Sequence, residues 1–206
     1  MARKGLLVDF GGVLTTNVFR AFAGFCDREG LDADHVRRAF REDETARELL
    51  FELELGRLDE REFARGFGAA IGLPEERAEG LVERLWADIG PDEDMVEAVA
   101  AARAAGVRTG LISNSWGTAL TYEPALMERL FDATVISHLV GLRKPDPEIY
   151  ALGAQRLGLP PEECVFVDDL PGNLKPARAM GMATVHHTVA SETIPQLADL
   201  LGVPLP

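Results

Sequence analysis

Leu-Val-Asp-Phe-Gly-Gly-Val-Leu-Thr, residues 7–15, is the stretch of sequence that decides the fold. Its apolar start predicts a buried strand that ends at Asp9, and Gly11 and Gly12 permit a tight turn directly after it. A carboxylate in this place can attack a phosphorus centre, or it can accept hydrogen bonds from the turn amides. Both interpretations of Asp9 stay open on this stretch alone.

Apolar segments recur along the chain, and each is followed by a stretch that can be helical. They are Leu6–Phe10, Val107–Ser113, Ala133–Ser137, Cys164–Asp168 and Ala183–His187. This alternation is typical of a parallel sheet covered by helices on both faces, which predicts a Rossmann-like α/β fold. Ligands of such sheets bind beyond the carboxyl ends of the strands. The polar residues expected at those ends are Asp9, Ser113, Asn114, Asp168 and Asp169.

A long insert separates the first two predicted strands. Residues 16–90 show helical periodicity, for example in the stripe Phe63, Phe67 and Ile71, and contain no convincing strand. A connection of this length is rarely a loop. We expect a helical cap subdomain at 16–90 and a hydrolase core formed by residues 1–15 and 91–206. Phe19, Phe22 and Trp116 are candidates either for an apolar pocket or for the cap's core.

Composition and charge narrow the classes of partner. The 206-residue chain is 47% hydrophobic with a net charge of −13, which argues against nucleic-acid binding. No apolar stretch approaches the roughly 20 residues of a membrane span, so we expect a cytoplasmic protein without a membrane partner. Cys26 and Cys164 are too few for a disulfide framework and are expected to be buried. The oligomeric state stays open between a monomer and a homodimer.

Two further motifs could contact a phosphate. Ser113 and Asn114 end the second predicted strand, where a hydroxyl and the amides of the following turn can form an anion cradle; the plain alternative is a helix cap. Lys144 lies in Leu-Arg-Lys-Pro-Asp-Pro, residues 142–147, where prolines restrict the backbone. Its charge could keep a nucleophilic carboxylate ionised and offset charge on a phosphoryl group, although most lysines are simply solvated.

The adjacent carboxylates Asp168 and Asp169 end the fourth predicted strand. They repel each other, so a cation is expected nearby. Mg²⁺ prefers oxygen ligands and uses one or two carboxylates together with a substrate phosphate. The alternative is an ordinary acidic loop with a helix cap at Asn173.

Taken in order, these four motifs resemble those of the haloacid dehalogenase superfamily: a nucleophilic Asp, a Ser or Thr, a Lys and an acidic pair. Within it, the chain is most similar to the amino-terminal phosphatase domain of soluble epoxide hydrolases and related bacterial phosphatases. The similarity is carried by Lys144–Tyr150 and by Val167–Asp169 followed by Asn173–Arg178. No counterpart of the epoxide-opening domain is present in this sequence, so epoxide opening is not implied.

The resemblance implies a role for each matching position. Asp9 would attack phosphorus and Lys144 would steady both Asp9 and the phosphate. The phosphate would be bound by Ser113, Asn114, Lys144 and Gly12. The ligands of Mg²⁺ would be Asp9, the carbonyl of Gly11, Asp169 and, in support, Asp168.

The sequence departs from the family at Gly11. Phosphatases of this family usually carry there a second Asp that acts as general acid and base, a contribution worth about 10²–10⁴-fold. We therefore expect substrates whose leaving group needs little protonation, such as sugar 1-phosphates, acyl phosphates or aryl phosphates. His138, which follows the third predicted strand, is a candidate replacement, and His186 and His187 are weaker ones.

Three functions follow from these observations. The first is a Mg²⁺-dependent phosphomonoesterase for a small phosphorylated metabolite, acting through an aspartyl-phosphate. The second is a phosphate-binding or regulatory protein that has lost turnover at Gly11. The third is a haloacid dehalogenase, whose carboxylate substrates the acidic pair Asp168-Asp169 would repel.

Overall fold

A five-stranded parallel sheet forms the centre of the molecule in the computed structural model, which describes residues 2–116 and 122–206. The strands are β1 (Gly5–Val8), β2 (Arg108–Ser113), β3 (Ala133–Ile136), β4 (Cys164–Asp168) and β5 (Ala183–His186). Each agrees with its predicted segment to within two residues at either end. The predicted Rossmann-like α/β class is therefore confirmed.

The described part of the chain contains eleven helices. They are α1 (Val18–Glu29), α2 (His35–Glu42), α3 (Glu44–Glu54), α4 (Glu60–Ala70), α5 (Leu81–Trp86), α6 (Glu93–Ala104), α7 (Pro124–Leu130), α8 (Ser137–Val140), α9 (Pro147–Leu157), α10 (Pro171–Ala179) and α11 (Ala190–Leu201). Short 3-10 turns lie at Glu75–Arg77 and Pro161–Glu163. None of these helices is both long and apolar enough to cross a bilayer.

The order of the strands places a crevice beside β1. The sheet runs β3-β2-β1-β4-β5, with Leu7 opposite Gly110 on β2 and Phe166 on β4. The connections from β1 and β4 leave in opposite directions along the sheet. In open parallel sheets, ligands bind at such a switch point, beyond the carboxyl ends of the strands.

Alternating side chains of the strands fill two cores. Leu6 and Val8 point to the face covered by α6 and α11, while Leu7 points to the face covered by α9 and α10. All three are at most 1% exposed. Both faces of β1 are buried, so the strand carries no polar side chain. Asp9 is the first polar residue after it and therefore lies at the end of the strand. The two cysteines are free and buried, as predicted.

The chain between β1 and α6 forms helices α1 to α5, which share a separate apolar cluster. Antiparallel pairing joins its two ends: the amide of Thr16 donates to the carbonyl of Gly90 (2.8 Å), and that of Asp92 donates to Leu14 (2.9 Å). A single ladder bridge links Thr15 to Pro91. These contacts support the division that we propose, a core of 1–15 and 91–206 and a helical cap of 16–90.

Ser137 joins the insert to the rest of the molecule. Its hydroxyl donates to the carbonyl of Glu54 at the end of α3 (2.6 Å) and accepts from the amide of Ser115 after β2 (2.8 Å). The residue is fully buried. One hydroxyl therefore satisfies a donor and an acceptor from two segments that are distant in sequence.

We expect Ser137→Ala to lower the free energy of unfolding by about 1–3 kcal/mol, because it leaves both backbone groups buried without this partner. Urea denaturation followed by circular dichroism measures the change. The exposed Ser191→Ala is the matched control and should change stability by less than about 0.5 kcal/mol. Equal stability of the two variants would show that Ser137 does not tie the segments together.

Candidate active site

The carboxyl edge of the sheet brings the predicted site residues together. Asp9 directly follows β1, and its amide still donates to Val167 of β4 (2.9 Å). Ser113 is the last residue of β2, and Asp168 is the last residue of β4. Single oxygen atoms of Asp9, Asp168 and Asp169 lie within 4.8 Å of one another. Neighbouring parallel strands thus deliver three carboxylates to one place.

Lys144 lies between two of these carboxylates. Its Nζ is 2.6 Å from Oδ1 of Asp9 and 2.7 Å from Oδ2 of Asp168. Lys144 is 1% exposed and Asp168 0% exposed, so these are buried ion pairs. A buried ammonium needs such partners, because removing a lone charge from water is very costly.

Asn114 and Glu54 support the segment that carries Lys144. The side chain of Asn114 accepts from the amide of Lys144 (2.8 Å) and donates to its carbonyl (3.0 Å), closing a two-way link with that backbone. The Nδ2 of Asn114 also donates to Oε2 of Glu54 (3.2 Å), which binds the guanidinium of Arg143 as well (2.6 Å). The side-chain amide of Asn114 is thus fully used in these hydrogen bonds. If Asn114 contacts the phosphate as predicted, it does so through its backbone N–H.

The two acidic neighbours have different surroundings. Asp168 accepts from the amide of Leu170 (2.8 Å), from Asn173 Nδ2 on both oxygens (3.0 and 3.1 Å) and from Lys144. Asp169 instead lies against Gly12: a Cβ at that position would clash with Oδ2 of Asp169. With its φ of 75°, Gly12 is a position where only glycine allows both the turn and this approach.

Burial shifts the pKa values of these groups. Burial raises the pKa of Asp169 to about 6, and the charge of Asp168 adds to the effect. Burial also raises the pKa of Asp9, which the ammonium of Lys144 opposes. Burial alone would lower the pKa of Lys144, but Asp168 and Asp9 raise it above its usual value. Lys144 is therefore a permanent cation in this cluster.

Ser113 forms a hydrogen bond with a residue that sequence reasoning missed. Its Oγ lies 2.8 Å from the hydroxyl of Tyr122, whose ring packs on Phe10 with a centroid distance of 5.0 Å. Burial raises the pKa of Tyr122 to about 12, so its hydroxyl stays protonated at neutral pH. Nothing in the spacing of the sequence signals this contact, because the two residues belong to different segments.

A cavity of about 200 Å³ opens onto the carboxylates. Its polar lining includes Asp9, Ser113, Asn114, Lys144 and Asp169. The apolar lining comes mainly from the insert, with Val18, Phe19, Phe22, Phe40, Leu50 and Trp86; Phe10, Trp116 and Leu170 are its residues from the core. Phe19, Phe22 and Trp116 thus line the pocket and pack against the insert's cluster at the same time.

Glu54 is the second residue of this cavity that the sequence did not single out. It ends α3 of the insert, is 5% exposed, and lines the cavity together with Asp9. Burial raises the pKa of its carboxyl group, which Arg143 opposes. An acidic residue in a charged helical insert carries no signal of its own, so only the three-dimensional structure reveals it.

The histidines considered as replacement acids lie elsewhere. His138 is not among the described residues that line the cavity, and burial lowers its pKa. The ring of His187 bonds to the hydroxyl of Thr193 (2.9 Å), and that of His186 to the carbonyl of Asp169 (3.0 Å). None of the three is placed by these contacts to protonate a leaving group beside Asp9.

Comparison with known proteins identifies relatives and structural neighbours. The chain is 28% identical over its whole length to bifunctional epoxide hydrolase 2 of Sus scrofa, covering 40% of that protein. It is 28% identical over 73% of its length to sesquiterpene phosphatase astK of Aspergillus oryzae, covering 78% of it. The chain spans less than half the length of the first four curated relatives it matches.

A solved structure of a HAD family enzyme from Bacteroides thetaiotaomicron, in complex with magnesium and inorganic phosphate, has the same fold. It superposes with a TM-score of 0.65 at 23% identity, covering 91% of this chain and 95% of the other. The family model for haloacid dehalogenase-like hydrolases matches residues 3–181, which hold all four predicted motifs. The chain is therefore a member of the haloacid dehalogenase-like hydrolase family.

Proposed function

We propose that this hydrolase is a Mg²⁺-dependent phosphomonoesterase that forms an aspartyl-phosphate at Asp9. The observation that carries the proposal is the buried Lys144, held between Asp9 and Asp168 at the carboxyl edge of the sheet. The name of the Aspergillus relative, a phosphatase, and the phosphate complex of the Bacteroides neighbour support the same chemistry. A small phosphorylated metabolite would be the substrate.

The donor set fits a magnesium ion. Three carboxylates within 4.8 Å offer the hard oxygen ligands that Mg²⁺ prefers. We assign Asp9, Asp169 and the carbonyl of Gly11 as direct ligands. Asp168, whose oxygens already accept from Leu170, Asn173 and Lys144, would chiefly hold the ammonium in place. When bound, Mg²⁺ offsets the negative charge of the phosphoryl oxygens.

Asp9 has one oxygen suited to attack. Its Oδ1 accepts from the amide of Phe10 (2.7 Å) and from Lys144, while no described residue donates a hydrogen bond to Oδ2. We assign Oδ2 as the atom that forms the new bond to phosphorus as the ester bond breaks and the alcohol leaves with its electron pair. Burial raises the pKa of Asp9, and the charge of Lys144 opposes this effect and so favours the ionised form that attacks phosphorus.

The rest of the polar lining would hold the phosphate. The hydroxyl of Ser113, the amide of Asn114 and the ammonium of Lys144 are donors suited to phosphate oxygens. The amide of Gly12, which the resemblance also implied as a phosphate contact, already donates to Oγ1 of Thr15 (2.9 Å). In the second step a water molecule attacks the aspartyl-phosphate, phosphate leaves, and Asp9 is restored. Neither step has a carboxylate at position 11 to move the proton.

A regulatory protein is the second candidate, and Gly11 is the observation that favours it. Such a protein would keep the anion cradle and lack turnover. If it is correct, Mg²⁺ and phosphate should raise the melting temperature while a broad panel of phosphate esters shows no hydrolysis. Dehalogenation is disfavoured, because three clustered carboxylates repel a haloacid.

We expect Asp9→Asn to reduce phosphatase turnover by at least about a thousandfold, because the nucleophile is lost. Phosphate release from a panel of esters, with and without Mg²⁺, measures the effect, and circular dichroism checks the fold. Asp199→Asn, an exposed change on α11, is the matched control and should retain full activity. A folded Asp9 variant with the wild-type rate would remove the nucleophile assignment.

The division of labour within the acidic pair can be tested without turnover. We expect Asp169→Asn to weaken Mg²⁺ binding more than about tenfold, since losing even an outer-shell partner typically costs 10–100-fold. Asp168→Asn should instead destabilise the fold by about 3–5 kcal/mol, because it breaks a buried ion pair.

Isothermal titration with Mg²⁺ at pH 8 and urea denaturation measure the two effects. At that pH Asp169, with its pKa of about 6, is ionised in the free protein. The reverse pattern, with Mg²⁺ affinity lost only in Asp168→Asn, would contradict the assignment of Asp169 as the direct ligand.

Restoring an acid at position 11 should raise turnover of alkyl phosphates by at least about tenfold, since general acid catalysis typically contributes 10²–10⁴-fold. Gly11→Asp is the variant, and Gly11→Asn, which occupies the same space without an acid, is its control. A Cβ there would lie 3.3 Å from Val18 and 3.9 Å from Trp86, so only a small shift of Val18 is needed. Equal rates in the Asp and Asn variants would show that the missing acid is not the limitation.

A further inference from the structure

The apolar wall of the catalytic cavity is built largely from aromatic rings. Trp116 is at its centre, with ring centroids 5.5 Å from Phe22, Phe40 and Trp86. The rings of Phe40 and Trp86 meet it nearly edge-on, at 80° and 82°. Such a wall suits a further aromatic ring, since edge-to-face and offset contacts are worth about 0.5–1.5 kcal/mol beyond burial of area.

The charges in the cavity disfavour a second charged group on the substrate. Lys144 is the sole cation among the described residues that line the cavity, and both Asp9 and Asp168 already bind it. Glu54 offers no free charge to a cationic group, because Arg143 already pairs with it. A sugar would leave most of its hydroxyl groups against the rings of Phe19, Phe22 and Phe40, which have no polar atoms. Nε1 of Trp86 is the one buried ring N–H of this wall that lacks a partner among the described residues. The group beyond the phosphate is therefore neutral and apolar.

Gly11 sets a chemical condition on the same group. With no carboxyl group at this position, the leaving oxygen receives no proton from a side chain there as the ester bond breaks. A phenolate tolerates this, because its conjugate acid has a pKa of about 10, as tyrosine does. An alkoxide of an ordinary alcohol is far more basic and benefits more from a general acid.

We infer that the substrates are phosphate monoesters of neutral phenols, with the ring held against Trp116, Phe22 and Phe40. This inference rests on the proposed phosphatase function. The P–O bond to the ring oxygen breaks, the phenolate leaves with the electron pair, and it takes a proton from water. The cavity of about 200 Å³ also has to hold the phosphoryl group beside Asp9, so its apolar part suits a small ring system.

The experiment separates ring recognition from leaving-group acidity. Benzyl phosphate and cyclohexylmethyl phosphate are both esters of poorly acidic alcohols and differ in aromaticity. We expect a KM about three- to tenfold lower for benzyl phosphate, from the ring contacts alone. The kcat values for phenyl and 1-naphthyl phosphates should exceed that for benzyl phosphate, because their leaving groups need no proton. Glucose 6-phosphate should be a poor substrate.

Variants of the wall test its contribution. Trp116→Leu and Phe40→Leu should each raise the KM for benzyl phosphate about threefold or more and reduce its advantage over cyclohexylmethyl phosphate. Phe131→Leu replaces a buried ring outside the cavity and should leave that advantage unchanged. If these variants do not fold, the comparison of benzyl and cyclohexylmethyl phosphates on the wild-type protein still tests the inference.

Acetyl phosphate distinguishes failure of this inference from failure of the proposed function. It is small, has no ring, and its leaving group needs no general acid. If it is hydrolysed in the presence of Mg²⁺ while aromatic and cyclohexyl esters have equal KM values, the aromatic specificity is wrong and the phosphatase assignment stands. If acetyl phosphate and every ester are inert, the phosphatase assignment itself is wrong.

Discussion

The buried ion pairs of Lys144 are the constraint on which the site depends. An ammonium that is 1% exposed is stable only with nearby anions, and here Asp9 and Asp168 supply them from two adjacent strands. The position of Lys144 is itself fixed by its backbone link to Asn114, at the end of a third strand. One cation therefore ties the ends of β1, β2 and β4 together, so the geometry of the site and the integrity of the sheet are coupled.

The sequence predicted the strands and the convergence of their ends well, because both follow from local physics. An apolar run such as Leu6–Val8 is stable in an α/β fold as a central strand that is buried on both faces. The carboxyl ends of parallel strands all lie at the same edge of the sheet. Asp9, Ser113 and Asp168 could be expected together for that reason. Tyr122 and Glu54 could not, since their positions depend on how distant segments pack, which no local pattern encodes.

The acidic pair shows a second limit of sequence reasoning. Successive side chains at the end of a strand point in opposite directions, so Asp168 and Asp169 enter different surroundings despite being identical and adjacent. Asp168 points to Lys144 and Asn173, and Asp169 lies beside Gly12. The sequence indicates that two carboxylates are present. Only the packing shows that Asp168 binds the ammonium of Lys144, whereas Asp169 is placed to bind a metal ion.

The glycine at position 11 and the apolar wall belong to one physical arrangement. A side chain at that position would begin against Val18 and Trp86, in the least polar part of the cavity. A carboxyl group there would be desolvated, and burial raises a carboxyl pKa, so it would act more readily as an acid than as a base. With glycine at position 11 this acid is absent, and the apolar surroundings offer the leaving oxygen no other side-chain proton there, so a leaving group that needs no proton is favoured. The chemistry lost at Gly11 and the recognition gained from the aromatic wall favour the same kind of leaving group.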